Sequence, residues 1–183
     1  MIALGQAMVA VALLALAPLN AQAQHSEATE TSVKAAFLFK FAGYVEWTPA
    51  DFAAEDAPLV IAVAGAEEIA ADLARIVPGR IVYGHPVTVR KLREGESARG
   101  AHLVFVGRQE SARLAAILRA AREHGVLAVT ESDKGLELGA AINFVAVEDR
   151  VGFEVSLDSA EKSGHRISSR MLTVARRVLP KAS

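Results

Sequence analysis

The residues that could carry chemistry are scattered along this chain. The five histidines are His25, His85, His102, His124 and His165. None of them pairs at i+3 or i+4, the spacing that places two metal ligands on one helix face, and no H-E-x-x-H or G-x-S-x-G motif occurs. The chain has no cysteine, which also excludes thiolate ligands and cysteine nucleophiles. We therefore expect no catalytic residue, no metal site and no cofactor.

Two acidic turns follow predicted strands without forming a recognisable site. Gly65 joins a strand to a helix, but G-x-G-x-x-G needs three glycines and no P-loop lysine follows. Glu67 and Glu68 stand where a phosphate would meet the helix N-terminus, so their charge disfavours an anion there. Glu131 and Asp133 also follow a strand, where α/β folds often place function. Their neighbours are typical of a solvated turn, and we interpret both segments as structural.

Three positions toward the C-terminal end are stronger candidates for a binding site. Asn143 lies in an apolar strand and must find hydrogen-bond partners, so it either ties down a neighbouring loop or contacts a ligand. Glu154 faces solvent or pairs with Arg166 or Arg170. Ser168 or Ser169 caps the helix predicted to begin at Arg166, and the two arginines there can attract an anion. Because a hairpin leads into this helix, we predict one ligand-binding mouth. Its residues are Asn143, Phe153, Glu154, Arg166 and Ser169.

The segment Val33–Trp47 predicts a helix of unusual character. Its apolar residues at helical spacing are Val33, Phe37, Phe41, Tyr44 and Val45. Lys34, Lys40 and Glu46 project about 120° apart at about 100° per residue, so they form no single polar face. A helix that is apolar in most directions is normally covered on more than one side. The cover is the protein's own core, a twin subunit or another protein.

The remaining elements predict a single α/β domain. Buried strands are expected at Leu59–Ala64, His102–Val106 and Val126–Val129, weaker strands at Ile81–Val82 and Val87–Arg90, and helices at Glu67–Val77 and Glu110–Glu123. This alternation favours a mixed, mostly parallel sheet flanked by helices. Ala141–Val147 and Arg150–Leu157 flank Glu148-Asp149, which predicts a C-terminal β-hairpin. A closing helix is expected over Arg166–Leu179. Its predicted buried residues are Ile167, Met171, Leu172, Val174 and Val178.

The N-terminus predicts export. Val9–Leu19 is an apolar run shorter than the roughly 20 residues that span a bilayer. Ala21-Gln22-Ala23 follows as a small-x-small site, so we expect a signal peptide over residues 1–23, cleaved after Ala23. Met1–Met8 contains no Lys or Arg, which leaves two alternatives: translation starts at a position other than Met1, or the segment is an uncleaved anchor. Residues 24–183 would then form the single domain, with Gln24–Glu30 frayed. The net charge of −1 gives no reason to expect a nucleic-acid partner.

Three segments together carry a family resemblance. The first is Lys34–Phe41, ending in Val45-Glu46-Trp47. The second is Gly139–Phe144 with Val151–Glu154, and the third is Ile167–Ser169 with Leu172. In this order they resemble the YfiR family, and the first is similar to the opening helix of that family. The likeness spans about residues 33–178. Family members often carry cysteine pairs, and this chain has none, so redox control through such pairs cannot operate here.

The resemblance implies a function that the residues alone do not. It implies a non-enzymatic periplasmic regulator that binds the periplasmic domain of an inner-membrane diguanylate cyclase, or another sensor protein, and so lowers cyclic di-GMP and biofilm formation. A homodimer is expected. The candidate partner-binding residues are Phe39, Tyr44 and Trp47. The alternative is a periplasmic receptor for a small anionic or aromatic ligand that feeds another signalling partner. An enzyme ranks third because the motifs are missing.

Overall fold

The computed structural model describes residues 19–148 and 150–181, with the backbone alone for residues 19–29. Most of the predicted signal peptide, residues 1–18, lies outside these limits, as does Asp149 of the predicted hairpin turn. The described helices are α1 (Leu19–Tyr44), α2 (Glu67–Ile76), α3 (Leu114–Glu123), α4 (Leu157–Lys162) and α5 (Ser169–Leu172). Short 3-10 helices occupy Pro49–Asp51 and Arg108–Arg113. The strands are β1 (Val45–Glu46), β2 (Leu59–Ala64), β3 (Ile81–Val82), β4 (His85–Leu92), β5 (Leu103–Val106), β6 (Leu127–Thr130), β7 (Ile142–Val147), β8 (Arg150–Ser156), β9 (Arg166–Ile167) and β10 (Arg177–Leu179).

Eight strands form one mixed sheet in the order β10-β8-β7-β6-β5-β2-β4-β3. Four neighbouring pairs are parallel: β4–β2, β2–β5, β5–β6 and β6–β7. The β7–β8 hairpin and the β3–β4 pair are antiparallel, and β10 runs parallel to β8. A separate pair joins β1 to β9. These findings confirm the predicted α/β domain with a mostly parallel sheet and a C-terminal hairpin.

The two faces of the sheet hold separate apolar clusters. One cluster packs α1 and α2 against the sheet through residues such as Leu38, Phe41 and Leu73. The other packs α3 against the opposite face through Leu114 and Leu118. The β-α-β units of a parallel sheet require helices on its faces, and the continuous apolar runs of β2, β5 and β6 reflect burial on both sides.

Helix α1 begins much earlier than predicted. We expected Gln24–Glu30 to fray, but the helix runs without interruption from Leu19. No glycine or proline occurs between Leu19 and Ala42, so no residue in this stretch favours a break. At the other end the helix stops at Tyr44 and the chain turns into β1, about three residues before the predicted end at Trp47.

The predicted closing helix over Arg166–Leu179 is wrong for most of its length. Only α5 is helical there, and Arg177–Leu179 pairs with β8 as a strand. Sheet pairing satisfies the free edge of β8, and this tertiary gain outweighs the local helical pattern. Of the predicted buried residues, Ile167 and Met171 are buried, Leu172 and Val178 are half-buried, and Val174 is exposed.

A further helix, α4, lies in the segment before it, for which no element was predicted. It begins at Leu157 because the Ser156 hydroxyl accepts the backbone N–H of Ser159. The helix predicted from Glu110 starts as a 3-10 turn and becomes α-helical only at Leu114.

Candidate functional site

The outward side of α1 carries an apolar stripe. The inward residues Ala35, Leu38, Phe41 and Ala42 are all buried. The opposite side presents six residues that lie within about 140° of arc at about 100° per residue. We call them the outer stripe: Val33, Ala36, Phe39, Lys40, Gly43 and Tyr44. Lys40 is the one charged residue among them. The predicted spread of Lys34, Lys40 and Glu46 around the helix applies only to the first two, because Glu46 lies in β1.

Two of the predicted partner-binding residues belong to this stripe. Phe39 is half-buried, and the guanidinium of Arg80 lies 5.9 Å from its ring centroid. Tyr44 is 36% exposed at the end of the helix. Two exposed residues of the β3–β4 hairpin lie beside the stripe and were not predicted from the sequence. They are Ile81 and Tyr83, which are 67% and 59% exposed. Tyr83 donates a 3.5 Å hydrogen bond to the carbonyl of Gly43, which places the hairpin tip beside the stripe.

The third predicted partner-binding residue, Trp47, is held differently. Its indole N–H donates a 2.7 Å hydrogen bond to the carbonyl of Ala42. Its ring meets His165 edge-on at 4.8 Å and His102 at 5.6 Å between centroids. Trp47 is half-buried by these contacts and presents only part of its ring to a partner.

Trp47 and Phe52 gather three histidines that are far apart in the sequence. Phe52 stacks on His85 at 3.5 Å and lies 4.6 Å from His102. His102 Nδ1 accepts the backbone N–H of Val60 at 3.0 Å, while its Nε2 is buried without a hydrogen-bond partner among the described residues. Burial lowers the pKa of His102, with His165 and His85 adding to that effect and Asp51 opposing it. Within the described part of the chain no group of three ligands could hold a metal ion.

Of the predicted ligand-binding residues, only Asn143 and Glu154 share a face of the sheet. In the β7–β8 pair Asn143 is opposite Glu154, and Phe144 is opposite Phe153. Successive strand residues project to opposite faces, so Asn143 and Phe153 point away from each other. Phe153 is buried against Phe41 of α1, with 4.9 Å between ring centroids.

The other predicted ligand-binding residues also have separate roles. Glu154 accepts two hydrogen bonds from the Arg177 guanidinium, at 2.9 and 2.8 Å, and not from Arg166 or Arg170 as expected. Arg166 is exposed opposite Glu46 in the β1–β9 pair. Ser169 is the exposed first residue of α5, whose cap is Ser168. The structure does not bring these residues into one mouth.

Asn143 is buried at 3% exposure beside the turn that follows β6. Its Oδ1 has no hydrogen-bond partner among the described residues. A Cβ at Gly135 would lie 2.5 Å from that oxygen and 2.5 Å from Cγ2 of Thr130. Asn143 therefore packs directly against the backbone of this turn.

Glu131 was interpreted as part of a solvated turn, and this is wrong because its side chain is largely shielded from solvent. Its side chain is only 10% exposed, and it accepts a 2.5 Å hydrogen bond from Lys34 Nζ of α1 and a 3.3 Å bond from the backbone N–H of Arg108. Lys34 also pairs with Glu30, and this hydrogen bond lowers the pKa of Glu30. A cavity of about 620 Å³ borders this cluster, between α1 and the β7–β8 hairpin.

Comparisons with known proteins place the chain in one family. It matches the sequence model described as YfiR/HmsC-like over residues 31–176. No curated protein matches the chain. A conserved domain protein from Vibrio cholerae O1 biovar El Tor shares 11% identity over 66% of this chain and 54% of its own, with a TM-score of 0.50. The ABC domain in complex with L-Trp from Streptococcus pneumonia shares 10% identity over 66% and 55%, with a TM-score of 0.49.

The likeness to the Vibrio cholerae protein is one of fold alone. This chain spans about half the length of each of the two solved structures. None of the described helices is both long and apolar enough to cross a membrane. The family match covers most of the chain, including α1 from Thr31, the parallel strands and the hairpin. The chain belongs to the YfiR/HmsC-like family.

Proposed function

We propose that this protein is a non-enzymatic periplasmic regulator that binds the periplasmic domain of an inner-membrane diguanylate cyclase and lowers cyclic di-GMP signalling. Membership of the YfiR/HmsC-like family suggests the signalling class. The observation that carries the binding role is the outer stripe of α1, which exposes apolar residues on a helix whose other side forms the core. Signal-peptide cleavage after Ala23 is part of the proposal and would leave the family-matched region intact.

The chemistry of the outer stripe suits a protein partner. Aromatic side chains and arginine are enriched at protein interfaces because they bury large areas and carry most of the binding energy. Tyr44 and Tyr83 present such rings, and Arg80 lies over Phe39 beside them. Lys40 has no ion-pair partner among the described residues and is exposed. These cations favour a partner surface with an apolar centre and an acidic rim.

Regulation would then work by binding alone. An envelope signal can release the cyclase only if it binds the free protein more tightly than the complex. A second copy of this chain is the competing occupant of the outer stripe, because the same apolar surface could form a homodimer. We assign the outer stripe to the cyclase, and self-association is the alternative that the experiment measures.

The experiment replaces Tyr83 and Tyr44 separately by Ala. Membranes are first used to isolate the cyclase with the mature protein as bait, and the affinity for its purified periplasmic domain is then measured. Each variant should keep the wild-type melting temperature and weaken binding by about 1–4 kcal/mol, the range for interface anchors. Phe41→Ala serves as the core comparison and should lose about 3–5 kcal/mol of folding stability.

Leu138→Ala is the matched surface control. Leu138 is 40% exposed in the turn after β6 and is not part of the outer stripe, so its replacement should change neither property. Sedimentation of the same variants measures self-association. If Tyr83→Ala and Tyr44→Ala leave cyclase binding unchanged, the outer stripe is not the docking surface. If they change only the oligomeric state, the stripe is a dimer interface.

A second candidate function, a receptor for a small ligand, is favoured by a different observation. The cavity beside Lys34 and Glu131 is large enough for a small molecule, and none of the five predicted ligand-binding residues lines it.

A further inference from the structure

The cavity beside Glu131 opens at the edge of the sheet where open α/β folds commonly bind ligands. In such sheets ligands occupy the crevice outside the carboxyl ends of the parallel strands. Arg108 follows β5, Glu131 follows β6, and Phe144–Ala146 form the carboxyl-terminal half of β7, so the cavity lies at the carboxyl ends of these three strands. The strand order reverses next to them, between β5 and β2.

Helix α1 crosses this crevice and completes the cavity. Its residues Glu30, Val33 and Lys34 form one wall, and the β7–β8 hairpin forms the other. The volume of about 620 Å³ falls within the range of small-molecule sites, about 300–1,000 Å³. A smaller cavity of about 320 Å³ continues past Lys34 toward Gly65.

The polar part of the lining favours one negative charge. Two carboxylates, Glu30 and Glu131, and three cations, Lys34, Arg108 and Arg150, line the cavity, so these described groups sum to +1. Lys34 is already bound by both carboxylates. Arg150 is exposed and has no ion-pair partner among the described residues, and the Arg108 side chain is 76% exposed. The two guanidiniums therefore retain donors for a ligand.

The rest of the lining is apolar, and its aromatic residue, Phe144, is fixed by ring contacts. Val33, Phe144 and Val151 lie on it, joined by Val145 and Ala146. Phe144 is fixed by ring contacts to Phe41 and Phe105, at 5.6 and 5.9 Å. Branched aliphatic side chains predominate, so the lining suits a flexible hydrocarbon.

We propose that this cavity binds a medium-chain aliphatic monocarboxylate. The carboxylate accepts hydrogen bonds from Arg108 and Arg150, whose planar guanidiniums match its two oxygens. The chain lies along Val33, Phe144 and Val151. A single carboxylate neutralises the net charge of the lining, whereas a phosphate ester would bring a second negative charge next to Glu131.

The test uses sodium octanoate as the probe and the purified mature protein at neutral pH, with isothermal titration calorimetry as the readout. Octanoate should bind. Octanamide and octylammonium should bind at least tenfold more weakly, because neither carries the negative charge that would pair with the arginines. Affinity should fall about threefold to fourfold for each methylene removed from the chain, the value expected for buried hydrocarbon.

Arg150→Gln should weaken octanoate binding at least fivefold, and Arg108→Gln should do the same. Arg119→Gln is the matched control, because Arg119 is an exposed arginine of α3 outside the cavity lining, and it should leave the affinity unchanged. Equal binding of octanamide, equal effects of Arg150→Gln and Arg119→Gln, or no octanoate binding at millimolar concentration would each overturn the proposal. The test needs no cyclase, so its failure is distinct from failure of the proposed function.

Discussion

Lys34 of α1 lies 2.5 Å from the Glu131 carboxylate at the end of β6, and both side chains are at most 10% exposed. The pair ties the helix that carries the outer stripe to the carboxyl edge of the sheet. Removing one member of a buried ion pair leaves the other charge buried without its partner, which costs far more than breaking a surface pair.

The first prediction follows from this pair. Lys34→Met should lower the free energy of unfolding by about 3 kcal/mol, measured by urea denaturation, because Glu131 loses its closest cation. The double variant Lys34→Met/Glu131→Gln should recover part of this loss. Lys181→Met is the control, since Lys181 and Glu161 are both more than half exposed and their pair should contribute at most about 1 kcal/mol. Equal losses in the two single variants would show that the Lys34 pair behaves as a surface pair.

The second prediction concerns acid. Burial lowers the pKa of His102 below its ordinary 6.5, so the unfolded chain binds a proton more readily than the folded one. The stability that neutral His102 contributes should be present above pH 6.5 and be lost as the pH falls below 6.5 toward the folded pKa. Protonation of Nδ1 would also remove the acceptor of the Val60 N–H.

His102→Asn keeps an acceptor near Val60 and removes the titrating group. Its free energy of unfolding should fall less steeply than that of the wild type as the pH drops below 6.5. His124→Asn, an exposed histidine at the end of α3, should follow the wild-type curve. A His102→Asn curve as steep as the wild-type curve would assign the acid sensitivity to other groups.

The third prediction concerns the packing of Gly135 on Asn143. A Cβ at Gly135 would come within 2.5 Å of two side-chain atoms, so Gly135→Ala should destabilise the protein by about 1–3 kcal/mol. Adding Asn143→Ala should relieve part of this cost, and thermal melts in a double-mutant cycle measure the coupling. Gly43→Ala is the opposite case: nothing lies within 4 Å of its Cβ position in α1, and it should stabilise by about 0.5–1 kcal/mol. Additive effects at Gly135 and Asn143 would contradict the contact.

The fourth prediction concerns export. Protein recovered from the periplasmic fraction should begin at Gln24 or within a residue or two of it, as determined by N-terminal sequencing. Its unfolding midpoint should be the same with and without reductant, because the chain has no cysteine. Recovery of the chain with Met1 intact from the cytoplasm would contradict the periplasmic assignment.

Local patterns predicted most of the elements correctly. The apolar runs of β2, β5 and β6, the amphipathic pattern of α2 and the hairpin of β7 and β8 could be read from the sequence because each depends on burial that repeats with a simple period. The last helix failed for the opposite reason. Arg177–Leu179 has a helical pattern, but the free edge of β8 offers backbone partners that no local pattern reveals.

Some residues of the candidate site could also be predicted from local patterns, and others could not. Tyr44 and Phe39 could be found from the helical spacing of α1 alone, whereas Ile81 and Tyr83 join them only because the β3–β4 hairpin folds beside Gly43. Glu154 was expected to face solvent or to pair with Arg166 or Arg170, and β10 places Arg177 there instead. Trp47 was a candidate partner-binding residue, and its contact with two distant histidines became visible only in three dimensions.

The sequence by itself determined the family, the α/β class and the unusual apolar character of α1, because these depend on the types and spacing of neighbouring residues. The tertiary structure alone decided that Lys34 meets Glu131 across 97 positions, that three histidines share one aromatic pocket, and that a cavity opens at the carboxyl edge of the sheet. Such contacts depend on how strands are ordered in the sheet. That order is set by the packing of whole elements, which leaves no periodic signal along the chain.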